Sequence, residues 1–423
     1  MEKIFIRTFG CQMNEYDSER MFNVLSQFPE YAFASSEKDA DIIIVNTCSV
    51  RQHAEDRAFS YIGRYVNSKK VIVTGCMAEN LKTKLFIKFP KLFAIAGTFN
   101  FSYIDKIIKK GGLYVGENID KYVKVPVIKK SISGFMTIMQ GCNNFCSYCI
   151  VPYVRGKERS RKVSEIEEEM KIMADNGYKE VMLLGQNVNS YYDESTGTNF
   201  PGLLKKLVKI NGIERIRFMT SHPKDLSDEL IETVALEKKL CRHFHLPVQS
   251  GSDNILKLMN RKYTSDFYLE RVFRIRKAIN DVSITTDILV GFPCENEKDF
   301  NDTVNLVKTA KFDNAFVFKY SVREGTEAAK LRDDVPEIEK LRRLNYILEI
   351  QDKISKDINK GLQGRIVEVL ALGKSTHNRE ELKTTTDTNK KVYVKGREEM
   401  TGKIYKVKIT EIRSKDAFGG EIV

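Results

Sequence analysis

The densest group of reactive side chains is GCNNFCSYC, which puts Cys142, Cys146 and Cys149 within eight residues. A zinc ribbon takes four ligands as two separated cysteine pairs, and no second CxxC is present. Three close thiolates suit a four-iron cluster better, because three irons are held by protein and the fourth stays open for a small ligand. A spacing of three and then two residues lets one loop wrap a face of such a cube. Cys11, Cys48 and Cys76 are far apart in sequence, yet each closes a strand-like run (KIFIRTFGC, DIIIVNTC, VIVTGC) immediately before a helical pattern. Parallel strands would bring the three to one sheet edge, beside helix N-termini that favour the thiolate a metal needs. Separate burial as small hydrophobes is the alternative. Cys241 and Cys294 have no close Cys or His partner in sequence and read as ordinary residues.

Positioning such groups requires a scaffold, and the chain offers two. Over residues 3–116, short β-branched and aromatic runs alternate with helical patterns at Asp17 to Phe28, Arg51 to Val66 and Met77 to Phe89. That alternation implies a parallel sheet covered by helices, with ligands bound beyond the C-terminal strand ends. A lysine-rich stretch from residue 121, KYVKVPVIKKS, reads as a linker. Between Gly134 and Ser321 the runs FMTIMQG, EVMLLGQ, RIRFMTS, HFHLPV, SITTDILVGF and AFVFKY give six strand–helix units. Six is fewer than the eight of a closed barrel, so an incomplete (β/α)6 barrel is predicted, with chemistry at the C-terminal strand ends. A doubly wound sheet is the alternative. Pro336 to Gly361 has the pattern of a long amphipathic helix ending at Gly. Residues 364–423 alternate and are punctuated by Gly, as in a small antiparallel β-barrel. The predicted fold is α/β, divided into an N-terminal domain over residues 1–118, a barrel over 128–335, a linking helix over 336–361 and a β-barrel over 362–423.

The 423 residues fit two to four domains. With 42% hydrophobic and 30% charged residues, the composition is globular and excludes a disordered or collagen-like chain. No apolar run reaches the roughly 18 residues of a membrane span, and MEKIFIRTFGCQMN lacks a signal-peptide pattern, so a cytoplasmic protein is expected. In that reducing compartment clustered thiols serve metals or catalysis rather than disulfides. The formal charge of +12 permits a polyanionic partner such as nucleic acid. Residues 364–423 carry 13 Lys and Arg against 9 Asp and Glu. Directly after the cysteine loop, VPYVRGKERSRK supplies Arg155, Lys157, Arg159, Arg161 and Lys162, candidates to hold RNA phosphates if they are not simply solvated surface.

In this context CxxxCxxC, with Tyr148 just before its last cysteine, resembles the signature of the radical S-adenosylmethionine (SAM) superfamily. The resemblance implies that SAM chelates the open iron and is cleaved, by an electron from the cluster, to a 5′-deoxyadenosyl radical. Tyr148 then becomes a candidate for SAM contact. So do Gly185 and Gln186 after the second barrel strand, Ser250 after the fourth and Gly291 after the fifth, unless these are turn residues only. His243 and His245 share a face and have no evident third partner for a metal, so packing or substrate contact is expected.

FGCQMNEYDSE, IIIVNTCSVR, TGCMAE, GCNNFCSYCIVPYVRGKERSR, HLPVQSGSDNIL and the basic C-terminal module are together similar to the methylthiotransferase family over almost the whole chain. QMNEYDSE and NTCSVR resemble its MiaB type, which acts on tRNA. By this resemblance Cys11, Cys48 and Cys76 hold a second [4Fe-4S] cluster that presents sulfur, and a second SAM methylates that sulfur. Two sites make chemical sense, since an adenine ring carbon is an unactivated C–H beyond the reach of acid–base groups. The implied product carries a methylthio group at C2 of N6-isopentenyladenosine at position 37 of tRNA, next to the anticodon. The same chemistry on threonylcarbamoyladenosine tRNA or a ribosomal-protein side chain is the second reading. An RNA-associated iron–sulfur or zinc protein without radical chemistry is the third. The C-terminal barrel resembles a TRAM module, which binds RNA through backbone contacts and shape. The implied partners are a tRNA anticodon stem-loop, an electron donor and, unless the second cluster is itself consumed, a sulfur donor; a monomer free of membranes is expected. Cys294, in GFPCENEKDF, stands where the family typically carries Gly, which touches a close backbone approach but no cluster ligand.

Overall fold

The computed structural model describes residues 1–49, 52–116 and 131–423. The lysine-rich linker lies outside them except for Ser131, and so do Val50 and Arg51 of the NTCSVR phrase. In the N-terminal region β1 (Glu2–Phe9), β2 (Tyr31–Phe33), β3 (Ile42–Thr47), β4 (Lys70–Gly75), β5 (Ala94–Ala96) and β6 (Gly112–Tyr114) form one parallel sheet. Its order is β2-β1-β3-β4-β5-β6. The helices are α1 (Gln12–Leu25), α2 (Gln52–Tyr65), α3 (Cys76–Leu81), α4 (Lys84–Lys88) and α5 (Ile104–Lys110). One sheet face packs Ile43, Val45, Val71 and Val73 against α2, α3 and α4. The other packs Ile4, Ile42, Ile44 and Ile72 against α1 and α5. Burial on both faces explains why β3 reads IIIV rather than alternating.

Two predicted helices differ from those observed. The first starts at Gln12 instead of Asp17 and ends at Leu25 instead of Phe28, because Cys11 takes the N-cap position with its backbone N–H donating to Asn14 Oδ1 at 3.3 Å. The helix expected over Met77–Phe89 is two short ones. Lys82 adopts a left-handed backbone (φ 49°) that a helix cannot pass through.

The central region runs β7 (Ser133–Thr137), β8 (Met139–Gln140), α6 (Val151–Arg155), β9 (Arg159–Ser160), α7 (Val163–Asp175) and β10 (Glu180–Leu184). A small hairpin of β11 (Tyr192–Asp193) and β12 (Thr198–Asn199) precedes α8 (Phe200–Leu207), β13 (Arg215–Phe218), α9 (Asp228–Leu236) and β14 (His243–His245). Then come α10 (Asp253–Leu258), α11 (Ser265–Ala278), β15 (Ser283–Val290), α12 (Glu297–Ala310) and β16 (Asn314–Lys319). Six parallel strands carry the architecture as two three-stranded sheets, β13-β10-β7 and β14-β15-β16, joined by the bridge Ile216–Leu240. This is the incomplete barrel, with one buried core under its helices. The N-terminal domain touches both free edges. Met13 and Tyr16 of α1 pack on Leu184, Phe135 and Met182 beside β7, while Glu55 of α2 ion-pairs at 3.0 Å with Arg323 in the segment after β16.

Helix α13 (Glu337–Lys360), capped by Pro336 and Gly361, lays Leu344, Ile347 and Ile350 on the same core. Strands β17 (Ile366–Lys374), β18 (Glu381–Thr386), β19 (Lys391–Lys395), β20 (Ile404–Ile412) and β21 (Ala417–Ile422) close a small barrel around Val369, Leu382, Val392, Val407 and Phe418. It is not wholly antiparallel as expected, since β19 and β21 pair in parallel. The barrel is anchored at the N-terminal ends of the central strands. Arg215 donates to Thr385 O at 2.6 Å, Arg217 to Thr386 O and Asp387 O, and Lys390 pairs with Asp313 at 3.0 Å. Among the described residues no helix is long and apolar enough to cross a membrane.

Candidate functional site

Cys142, Cys146 and Cys149 lie on the loop that follows β7 and β8, and sequence-distant groups clamp that loop. Gln186, just past β10, accepts the Gly141 N–H at 2.5 Å, and Gly156 O accepts the Cys142 N–H at 3.2 Å. Asn260 donates to Phe145 O at 2.9 Å, while Ser147 is tied to Leu258 O and Met259 O. Gly141 has φ +84° and would put a Cβ 2.0 Å from Lys157 O, so only glycine fits before Cys142. Burial raises the Cys142 thiol and pushes Cys149 up to about 12, where the neighbouring Cys146 adds to the effect.

Cys11 follows β1, Cys48 follows β3 and Cys76 follows β4, three neighbouring strands of one parallel sheet. Phe9 O accepts the Cys48 N–H at 2.9 Å, which ties two of the strand ends. Gly75 (φ +91°) leaves no room for a side chain, since a Cβ there would lie 2.4 Å from Thr47 O. A hydrogen bond with Cys48 and the charge of Arg155 pull Cys11 down to about 6, whereas burial raises Cys76. Both thiols are desolvated and both feel Arg155; at Cys11 the Cys48 hydrogen bond outweighs burial, and at Cys76 burial wins.

Helix α6, which starts two residues after Cys149, connects the two trios. Ile150 and Val154 pack directly on Cys76. Arg155 at the end of the helix donates to Cys76 Sγ at 3.3 Å and pairs with Asp17 of α1 at 2.6 Å. A second buried arginine serves the other trio. Arg261 donates to Cys146 Sγ at 3.4 Å, Tyr263 Oη at 2.8 Å and Pro247 O at 2.7 Å. Among the described residues no three His, Cys, Asp or Glu converge as one ion would require. Neither trio has a fourth protein ligand among the described residues, and three cysteines with one position left open are the donor set of a four-iron cube that keeps one iron for a small ligand.

Family profiles match three segments: the Radical SAM superfamily over residues 136–307, the Uncharacterized protein family UPF0004 over 3–97 and the TRAM domain over 360–420. A tRNA-2-methylthio-N(6)-dimethylallyladenosine synthase of Thermodesulfovibrio yellowstonii is 46% identical over 431 residues, covering 99% of this chain and 98% of its own. One so named from Carboxydothermus hydrogenoformans is 45% identical, covering 96% of each. The chain belongs to the tRNA-2-methylthio-N(6)-dimethylallyladenosine synthase family. Among solved structures, the radical SAM methyltransferase TsrM of Kitasatospora setae, with cobalamin and a [4Fe-4S] cluster bound, superposes with TM-score 0.57 at 13% identity over 78% of this chain and 74% of that one. The cobalamin-dependent SAM radical enzyme OxsB gives TM-score 0.53 at 11% identity over 84% of this chain and 56% of that one. Both likenesses concern the fold.

Set against this family, the other predicted residues divide sharply. Tyr148 packs on Ile255, Met259 and Phe292 beside the loop. Gln186 and Gly185 lie at the end of β10, where Gly185 O accepts from Thr220 and a Cβ would meet Met139. Ser250 is buried and bonded to Thr303 and the Ser252 N–H, and Gly291 (φ +67°) lies against Lys340 of α13, so both are held by the fold itself. The RNA-contact expectation is corrected for Arg155 and Arg161. The first is 2% exposed on Asp17 and Cys76, and the second is 7% exposed on Glu169 and Thr137 O. Lys157, Arg159 and Lys162 remain exposed. His243 and His245 both meet Thr285 Oγ1 at 3.0 Å inside the barrel. Cys241 is buried, and Cys294 is exposed with φ +69°, so its backbone conformation, rather than a close approach, is what Gly would suit.

Sequence reasoning missed Arg261, Tyr263 and His222. His222 caps a turn after β13, its Nδ1 accepting the Lys224 N–H at 3.3 Å, and its ring lies 5.5 Å from Tyr263. Burial, with Arg261 and Lys224 nearby, lowers it to about 2. The imidazole is therefore neutral, and its buried Nε2 lacks a partner at the barrel mouth. The one available signal was the position of TSHP after the third barrel strand.

Proposed function

We propose that the chain inserts a methylthio group at C2 of N6-isopentenyladenosine at position 37 of tRNA, next to the anticodon, acting as a cytoplasmic monomer. Cys142, Cys146 and Cys149 hold one [4Fe-4S] cluster, and Cys11, Cys48 and Cys76 hold the other. Bound at these sites, the clusters and SAM supply radical generation at the first and sulfur at the second. A separate electron donor serves the first site, and the inserted sulfur comes either from the second cluster itself or from a sulfur donor. The observation that carries this reading is helix α6, which joins Cys149 to the Cys76 contact within one short element.

The chain's own residues position and exclude. Ile150 and Val154 keep water from the Cys76 side, and Arg155 fixes that sulfur. Tyr148 forms an apolar wall, with Arg261 and the neutral His222 as donors for the polar parts of SAM. Phe145 and Tyr153 stand about half exposed, rings edge-on at 6.3 Å, beside the loop. They offer apolar surface to the prenyl group, and a contact of about 1–3 kcal/mol gives roughly 10- to 200-fold preference over plain adenosine. An unstacked anticodon loop presents its base edge without strand separation.

Reconstituted enzyme would be given prenylated, unprenylated and threonylcarbamoylated anticodon stem-loops with SAM, sulfide and reductant, and nucleosides read by mass spectrometry. Methylthiolation of the prenylated RNA is expected. Product confined to the threonylcarbamoylated RNA, or found only on a ribosomal protein, would overturn the substrate and leave the cluster assignment standing.

A further inference from the structure

At the rim of the N-terminal sheet, a groove of about 350 Å³ is lined by Arg7, Phe9, His53, Arg57, Tyr61 and Arg64. The guanidinium of Arg7 lies 5.5 Å from the Phe9 ring and 5.9 Å from the Tyr61 ring, and that of Arg57 lies 5.4 Å from Phe9. Arg7, Arg57 and Arg64 are exposed, and none has a carboxylate partner among the described residues. Other exposed arginines divide. Arg274, Arg342 and Arg365 each sit on an Asp or Glu, whereas Arg159 lies over Phe99 and Arg332, Arg379 and Arg397 have no carboxylate partner among the described residues. The rim differs in that three such arginines line one groove. Two acids are near the groove: Asp56 lines it, and Glu37 accepts from Tyr65 beside it.

We propose that this rim binds the phosphate backbone of the tRNA, with Arg7, Arg57 and Arg64 as the contacts; the inference rests on the tRNA reading above. Contact with the Phe9 ring restricts the rotamers of both the Arg7 and the Arg57 guanidinium, which lowers the cost of ordering them on a ligand. Planar guanidinium forks match phosphate oxygens. The location fits as well. Phe9 is two residues from Cys11, and its carbonyl holds the Cys48 N–H, so RNA lying along this rim passes the N-terminal trio. Two of the five cations predicted for RNA are interior, and the C-terminal barrel is anchored at the far ends of the central strands. Lys157, Arg159 and Lys162 stay exposed after the cluster loop, and the rim adds a second set of cations around Phe9, two residues along the chain from Cys11.

The test is binding of a prenylated anticodon stem-loop to full-length protein as a function of salt. Arg7→Gln, Arg57→Gln and Arg64→Gln together should weaken binding roughly 10- to 100-fold near 0.1 M salt and reduce the log–log slope by about two to three. Lys353→Gln, Lys356→Gln and Lys360→Gln on the outer face of α13 remove the same charge elsewhere, and should change affinity less than about threefold. Single Arg57→Gln and Arg57→Lys variants, checked by melting, replace the triple if it does not fold; the lysine should retain most of the affinity. Equal loss in the two triples, or an unchanged slope, overturns the proposal. Retained RNA affinity with slower reduction by an acidic electron-transfer protein would also overturn it, assigning the rim to that protein. If wild-type protein fails to bind the stem-loop at all, the tRNA reading itself falls.

Discussion

Cys142, Cys146 and Cys149 ride on one loop, whereas Cys11, Cys48 and Cys76 come from three loops that only a parallel sheet brings together. The buried arginines beside them differ too. Arg155 carries Asp17 with it, so that trio has a neutralised cation, while Arg261 meets a phenol, a carbonyl and Cys146 but no carboxylate. The contiguous site therefore keeps a cation with no carboxylate partner among the described residues, available to a carboxylate group of a ligand, and the assembled site uses its cation to hold two domains in register. An unpaired cation suits a site that exchanges a carboxylate-bearing ligand, and an ion pair across a domain boundary suits a site that must stay assembled.

The largest effect should come from emptying one trio at a time. Replacing Cys142, Cys146 and Cys149 by Ala should halve the iron and acid-labile sulfide and abolish SAM cleavage. Replacing Cys11, Cys48 and Cys76 should halve the iron, spare cleavage and abolish methylthiolation. Loss of all iron from either variant would dissolve the distinction between the sites.

Next in size is the stability difference between the arginines. Arg155→Met strands the Asp17 carboxylate, 5% exposed, and should cost about 3–5 kcal/mol in denaturant melts. The double variant with Asp17→Leu should recover much of that loss. Arg261→Met strands no charge and should cost about 1–3 kcal/mol, while weakening SAM binding. Equal costs would mean that the carboxylate partner does not matter.

The two trios were also unequally legible. CxxxCxxC is written in eight residues, and the other trio could be inferred because each cysteine closes a strand, so topology supplied what spacing did not. The six-strand barrel and the C-terminal β-barrel followed from alternation. What stayed hidden depends on tertiary burial: Arg155 and Arg161 belong to a charge run whose ordinary fate is solvent, but Arg155 is buried on Asp17 of the docked N-terminal domain and Arg161 on Glu169 and Thr137 O within the barrel. Arg261, His222 and Gln186 act through partners more than thirty residues away, which no local pattern encodes.

A smaller difference, about tenfold, should appear in the metal-free protein. Cys11 is pulled down to about 6 and Cys149 pushed up to about 12, and both are half-buried. Iodoacetamide should modify Cys11 at a rate that rises through about pH 6 and is flat above pH 7. Cys149 should stay at least roughly tenfold slower at pH 7.5 and keep accelerating as pH rises. Peptide mass spectrometry reads both; matching pH profiles would remove the electrostatic half of the contrast.

The smallest effect tests whether the two trios account for the cysteines that matter. Cys294 is exposed, belongs to neither trio and holds φ +69°, with its N–H donating to Asp334 at 2.8 Å. A left-handed residue with a Cβ costs roughly 1–2 kcal/mol, and glycine gives back about 0.4–1 kcal/mol through the greater freedom of the unfolded chain. Cys294→Gly should therefore stabilise by about 0.5–1 kcal/mol, since the backbone bond to Asp334 needs no side chain. In a chain of this size the melting temperature should rise by roughly one to three degrees. Iron content, SAM cleavage and methylthiolation should not change. A gain in stability with unchanged iron confines Cys294 to backbone conformation, whereas any loss of iron would place a seventh thiol at one of the sites and undo the three-against-three comparison.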